Sequence, residues 1–371
     1  MKKILKCYVI YLVIVVVFLG GCNTIAFNKE LISNPVFKPN TVFMSFEDLS
    51  SPKFKHLIEK YQLDTVVRDE TDEFRRILLL RNWIKSTIKI DDLGPYPVKD
   101  ADTEGILDAA LQGQGFHCGH YMTVQNAIMN GYGYLSRTLG AGPGVKGGPD
   151  GHHGINEIWS NDYNKWFLSD AKYNHHFEKN GIPLSALEIR HEYLKNKARD
   201  IDLVKGTDQK KIEIDEEVDV PKEQFAQTYT WITWNENSNY FTSYPNFEGS
   251  TIMYKDDFYD NNTWYRDSVP AWIYKYPDRV LLVEERDDIE WTPNTITSKI
   301  FIEGKKATIE LISDTPNLNT YQMKESSDSK WTNVENILHL DLKKKEYEYN
   351  FRTVNFANVT GPIHKIVIKG Q

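Results

Sequence analysis

The apolar residues change their period partway along the chain, and that change limits the possible folds more than any other feature. From Asp72 onward, Phe74, Ile77, Leu78, Ile84 and Ile88 recur near helical spacing, which predicts an amphipathic helix over about 72–88. Asp102-Thr103-Glu104 ahead of Ile106, Leu107, Ala110 and Leu111 predicts a shorter helix ending near Gly113, and a third runs from Cys118 to Gly131. Ser185 with Glu188 three residues later reads as a capping box opening a helix over about 186–198. Past the charged run from Lys205 to Pro221 the text turns to short alternating stretches. These are Thr228–Trp234, Val280–Glu284, Lys299–Glu303, Thr308–Ser313, Ile337–Leu342 and Ile363–Lys369, with Asn, Asp, Gly and Pro between them. The expectation is an α+β chain, with a mixed domain over 41–205 and a β-rich sandwich region over 206–371.

The start of the chain reads differently. Lys2, Lys3 and Lys6 precede an apolar core from Cys7 to Leu19, which is shorter than the roughly 20 residues a membrane helix needs. Leu19-Gly20-Gly21-Cys22 then closes it, and this tetrad looks like a bacterial lipobox. The expectation is a signal peptide over 1–21, a lipid on Cys22, a tether over 22–40, and attachment to a bacterial membrane on its extracytoplasmic side. Removing the leader takes away three lysines and no acid, so the net charge moves from −8 to −11. A nucleic-acid partner, which requires basic surface to displace counterions, is excluded on that ground. With 40% hydrophobic and 26% charged residues, a polytopic membrane protein and a disordered chain are excluded as well.

Of three cysteines the leader takes Cys7 and the lipid Cys22, leaving Cys118 alone, with no internal disulfide to form. Seven of the ten histidines fall between residues 117 and 191, so nucleophile and base are concentrated in one stretch. A cysteine at a helix N-terminus, activated by a histidine that a carboxylate orients, is an acyl-transfer arrangement. Gly154–Ser160 and Trp166–Asp170, separated by Asn161-Asp162-Tyr163-Asn164, predict a β-hairpin. With an even-numbered loop centred between Asp162 and Tyr163, Ile155 faces Asp170 and His153 lies diagonally beside that acid, while His152 points to the other face. An odd loop or a bulge reverses the choice.

Four segments then carry a resemblance. Gly115-Phe116-His117-Cys118-Gly119, Gly131-Tyr132-Gly133-Tyr134-Leu135-Ser136-Arg137, His152-His153-Gly154-Ile155-Asn156-Glu157-Ile158-Trp159 and Lys165-Trp166-Phe167-Leu168-Ser169-Asp170-Ala171 resemble the transglutaminase-like superfamily. The likeness covers about 75–180 and says nothing of the tail. Where members often read His-Ala-Trp, this chain has His153-Gly154-Ile155. The resemblance implies a papain-like core in which Cys118 is nucleophile, His153 base and then acid, and Asp170 the orienting carboxylate. It also implies a thioester formed from a polypeptide or cell-wall peptide amide, without metal or cofactor. The Cys118 amide is one expected oxyanion donor, with Gln112 or Gln114 as the other and Gln112 favoured.

Other readings stand beside this one. The domain could keep the fold without activity and bind polypeptide or polysaccharide at a surface. Zinc could be held by His117, Cys118, His120 and one of His152 or His153, although adjacent ligands rarely converge on one ion. His175-His176 is expected on a solvated surface, and the glycine-rich run 140–151 as a connector or a lid. Trp231, Trp234, Tyr240, Trp264, Trp272 and Tyr274 are core or sugar-stacking residues of an immunoglobulin-like tail.

Overall fold

The computed structural model describes residues 26–99, 101–142, 153–243, 250–261, 280–325 and 330–370. The leader, Cys22, His152, Trp264, Trp272, Tyr274 and all but the first three residues of the glycine-rich run lie outside them. No helix among the described residues is long and apolar enough to cross a membrane.

The chain is α+β, and its four predicted helices form where their caps place them. Asp72 accepts the Arg75 amide and opens Glu73–Thr87, and Asp102 accepts the Gly105 amide and opens Thr103–Leu111. Ser185 and Glu188 close a reciprocal capping box on Ala186–Asn196. Cys118–Gly131 is the central helix, buried along most of its length. It packs with Pro52–Lys60, Glu73–Thr87 and Thr103–Leu111 around Leu57, Ile77, Ile84, Ile106, Val124 and Ile128. Pro52–Lys60 was not predicted, although Ser51 caps it and Pro52 stands at its first position.

A six-stranded sheet covers this helical layer. Its order is Val280–Val283, Thr251–Tyr254, Trp231–Asn235, Ser136–Gly142, His153–Ser160 and Lys165–Ser169. The strand period sets which side chain meets which layer. Ile158 and Phe167 face the helices, whereas Ile155, Trp159, Trp166 and Leu168 face a second core shared with Phe177, Leu203, Phe225, Tyr229 and Trp234. Half of the sheet therefore comes from beyond residue 205. The stretch taken as a boundary is folded: Lys210–Ile212 pairs with Asp202–Lys205, and Lys205 Nζ binds both carboxylate oxygens of Asp215 at 2.7 and 2.6 Å. Its charges are paired, Lys205 with Asp215 and Lys211 with Asp202, and a charged run of this kind resembles a linker in sequence.

The sandwich begins instead near Thr297. One sheet has the order Phe27–Leu31, His364–Gly370, Glu346–Asn355, Leu318–Glu325 and Thr332–Val334; the other has Thr297–Glu303, Lys306–Ile312 and Ile337–Asp341. All pairings are antiparallel, and the two sheets share a core of Phe27, Ile309, Tyr349, Phe351, Ile366 and Ile368. Residues 27–31, expected in the tether, are thus an edge strand whose one buried side chain, Phe27, fills this core. Asn355 Nδ2 donates to the Gly133 carbonyl at 2.9 Å and Asn317 Nδ2 to that of Glu47 at 2.8 Å, fastening the sandwich to the larger unit.

Candidate active site

Cys118 opens the central helix, and the residue before it shapes that end. His117 is the N-cap in extended conformation, its Nδ1 accepting the Gly119 amide at 3.0 Å in the role usually taken by a hydroxyl or carboxylate. The His120 amide goes to the His117 carbonyl at 3.2 Å. The Cys118 amide has no acceptor among the described residues, as expected of a first helical N–H. The thiol stands on the wall of a cleft of about 510 Å³, also lined by Asp92, Tyr96, His153, Lys172, Tyr173 and Tyr229.

The hairpin brings the base to it. Trp159 pairs with Trp166 and Asn156 with Ser169, the register predicted from an even-numbered loop. His153, at the first residue of its strand, accordingly places Nε2 2.6 Å from Asp170 Oδ2. With that nitrogen committed to the carboxylate, the other is the one that can serve the thiol, and Cys118 and His153 are hydrogen-bonded. A Cβ on Gly154 would stand 3.4 Å from the Gly119 Cα and 3.3 Å from Met122 Sδ. The bare backbone at 154 lets strand and helix meet closely here, and the Gly154 amide reaches the thiol as well.

Asp170 is held from two sides. Its amide and carbonyl bond those of His175 at 3.0 and 3.1 Å, closing a tight hairpin that makes the two residues direct cross-strand partners. Asp170 Oδ1 accepts the Tyr173 amide at 3.2 Å, and Oδ2 accepts the Tyr229 hydroxyl at 2.6 Å besides His153. The electrostatics follow from this packing. Burial alone would raise the Cys118 thiol, but hydrogen bonds to His117 and His153, the His153 charge and the Gly154 amide hold it well below its usual range. Burial would lower His153, yet the Asp170 charge and hydrogen bond, followed by Cys118, hold it well above. Burial would raise Asp170, and the His153 charge and hydrogen bond, together with the Tyr229 hydroxyl, keep it well below. The arrangement favours a thiolate beside an imidazolium across neutral pH.

Several expected residues sit elsewhere. Gln112 is the exposed C-cap of Thr103–Leu111, and Gln114 spends its Nε2 on the Gly115 carbonyl at 2.9 Å, so neither lines the cleft. The helix ends before Gly113, whose φ of +96° turns the chain away. His117 and His120 do not form a metal set with Cys118: His117 Nδ1 is committed to the helix cap, and His120 is buried against Tyr96 and Phe116. No group of three or more potential ligands gathers for a metal among the described residues. Trp231 and Trp234 are buried in the central sheet, which suits a core role rather than sugar stacking.

His175 and His176, expected on a solvated surface, are both fully buried. They occupy a strand covered on both faces, His175 Nε2 meeting the Tyr229 hydroxyl at 2.9 Å and His176 meeting Glu178 at 2.9 Å and Arg81 at 3.2 Å. Tyr229 itself was missed as a site residue. It follows the helix Lys222–Thr228 in the tail, and nothing local in the sequence marks a hydroxyl that meets a carboxylate 59 residues upstream.

Burial pushes His175 down to about 3, and His176 and His364 each down to about 4. Below pH ~6.5 the unfolded chain takes up protons at these positions that the native chain does not, so stability falls as pH drops. Each contributes at most about 1.4 kcal/mol per pH unit in that window. Thermal unfolding is expected at clearly lower temperature at pH 5 than at pH 7, with a shallower pH slope in His364→Asn; equal slopes in the two proteins would rule out a His364 contribution.

No family model matches the chain, and no curated protein matches it at a significant level.

Proposed function

We propose that this chain is a transglutaminase-like cysteine acyltransferase or hydrolase with a papain-like core, followed by an immunoglobulin-like sandwich and held by a lipid on Cys22 to the extracytoplasmic face of a bacterial membrane. One observation carries the reading: a cysteine at the start of a buried helix shares a cleft with a histidine whose Nε2 lies 2.6 Å from a buried aspartate. The nucleophile and base are adjacent, and a third group orients the base.

The chemistry follows from these positions. The Cys118 thiolate attacks the carbonyl carbon of a bound amide, and charge moves to the carbonyl oxygen, where the Cys118 amide can donate to it. The His153 imidazolium gives its proton to the leaving nitrogen as the C–N bond breaks, releasing ammonia or an amine and leaving a thioester on Sγ. Neutral His153 then takes a proton from water or an incoming amine, which attacks the thioester. The second tetrahedral intermediate collapses, the C–S bond breaks to expel the Cys118 thiolate, and His153 keeps the proton, restoring the starting thiolate–imidazolium pair. Asp170 stays ionised throughout and stabilises the imidazolium. Water at the second step yields an acid by deamidation or proteolysis; a lysine amine yields a cross-link. Both proceed from the same thioester, so substrate access to the cleft decides the outcome.

The test measures ammonia release and incorporation of a fluorescent primary amine, with unfolded glutamine-rich protein and cell-wall peptides as acyl donors. The wild-type chain is expected to release ammonia or take up the amine, and Cys118→Ala to do neither. Absence of both from the wild type on every donor would favour the surface module that binds polypeptide or polysaccharide.

A further inference from the structure

The hydroxyl of Tyr229 lies between Asp170 Oδ2, at 2.6 Å, and His175 Nε2, at 2.9 Å, and all three side chains are buried. His175 Nε2 is 3.7 Å from Asp170 Oδ2, too far to bond it directly, so the tyrosine is the bridge. The direction of this chain follows by elimination. An ionised carboxylate has no hydrogen to give, so the one phenolic hydrogen goes to Asp170. The tyrosine oxygen then accepts, which requires the His175 hydrogen on Nε2. His175 Nδ1 is left as a bare lone pair, buried and with no partner among the described residues, as this tautomer demands. Phe225 and Tyr173 pack on the ring at 4.5 and 5.8 Å and fix its plane.

We propose that Tyr229, polarised in one direction by His175, is a positioning residue of the Cys118–His153–Asp170 centre, holding the Asp170 carboxylate ionised and aimed at His153 Nε2 so that the thiolate–imidazolium pair persists to lower pH. This rests on the reading of those three residues as an acyl-transfer centre. It also brings the segment beyond residue 205 into the site, since Tyr229 is delivered by the end of Lys222–Thr228.

The groups that face Asp170 come from every neighbouring element. His153 and Tyr229 bond it; His175 and Tyr173 lie on its own hairpin; Arg81, on Glu73–Thr87, and Tyr121, on the central helix, interact with its charge while bonding other partners. Burial keeps His175 neutral, and Arg81 and Lys205 reinforce that. Of the groups that can stabilise the Asp170 charge, Tyr229 is the one whose removal takes a single hydrogen bond and no charge.

The experiment compares Tyr229→Phe with wild type in the full chain, following iodoacetamide alkylation of Cys118 against pH, then kcat and KM for acyl transfer, then the unfolding temperature. Loss of one donor to a buried carboxylate is expected to raise the midpoint of the acid limb by about one pH unit. The expected kcat falls about 10- to 100-fold with KM within about threefold, the pattern of misplaced chemistry rather than lost binding. His175→Leu is expected to move the limb the same way by less, and His175→Gln, which keeps an N–H donor, to recover most of that shift. An unmoved acid limb in Tyr229→Phe overturns the proposal, as does a uniform loss of alkylation at every pH together with a lowered unfolding temperature. If the limb moves but no donor is turned over, the relay stands and the acyl-transfer function fails; a wild-type thiol that titrates near 8.5 overturns both.

Discussion

At pH 6, iodoacetamide is expected to alkylate Cys118 about 30- to 100-fold more slowly in His153→Ala than in wild type. A thiol near its ordinary value of about 8.5 is less than roughly one per cent thiolate at that pH, whereas one held down by an adjacent imidazolium is largely ionised. The gain is smaller than the thiolate fraction alone implies, because a low-pKa thiolate is a weaker nucleophile. His152→Ala is expected to leave the rate near wild type, since the hairpin register gives the Asp170 contact to His153. His117→Ala should fall between the two: its imidazole also bonds the thiol and caps the helix. The readout is the pH midpoint of alkylation, followed by mass spectrometry of the labelled peptide. Equal midpoints in wild type and His153→Ala would remove the imidazole as the activating group and with it the proposed mechanism.

The second large effect concerns a charge rather than a nucleophile. Arg137 and Glu157 are each about 1% exposed and form a buried pair between neighbouring strands. Glu157 Oε2 accepts from Arg137 at 3.0 and 2.6 Å and from Trp234 Nε1 at 2.8 Å, and Oε1 accepts the Ala186 amide at 2.7 Å. Arg137 also donates to the Ile289 carbonyl at 2.7 Å, with its guanidinium 4.0 Å from the centre of the Trp166 ring. One carboxylate thus ties together residues 137, 157, 186 and 234. Glu157→Leu would strand a buried cation and two other polar groups, the Trp234 Nε1 and the Ala186 amide, and is expected to cost about 3–5 kcal/mol in urea unfolding. The double variant Arg137→Met/Glu157→Leu should regain much of this, because apolar side chains can replace a buried pair at little net cost. A loss below about 1 kcal/mol in Glu157→Leu would show that water or a shifted Arg137 compensates.

The elements that could be read in the sequence were those specified locally. Asp72, Asp102 and Ser185 announce their helices because a cap acts within three residues, and Asn161-Asp162-Tyr163-Asn164 fixes the register that sets His153 beside Asp170. What escaped depends on distant partners. Ser136–Gly142 is not predicted as a strand and its last three residues fall in the expected connector 140–151, yet it is buried because Trp231–Asn235 and His153–Ser160 flank it. His175 and His176 look like a polar surface pair because sequence alone does not show that one will meet Tyr229 and the other Arg81. The placement of Gln112 failed for a related reason: a helix C-terminus can be located from sequence, but the direction of its last side chain depends on the turn that follows. The boundary expected near 205 moved because alternating charges in a linker and in a solvent-facing hairpin are written alike.

The pairing of the first described strand with the last has a mechanical meaning. Phe27 lies opposite Gly370 and Leu31 opposite Ile366, so the ladder ends where the chain arrives from the N-terminal side. A pull on that side directed along the strand would load all five pairs together in shear, while a pull across it would open them one after another, beginning at Phe27. If Cys22 is fixed to a membrane, only four residues, spanning at most about 18 Å from Cys22 to Phe27 when fully extended, separate the anchor from this ladder. Tension would enter the sandwich first and be borne there, on a sheet that shares no strand with the one carrying His153.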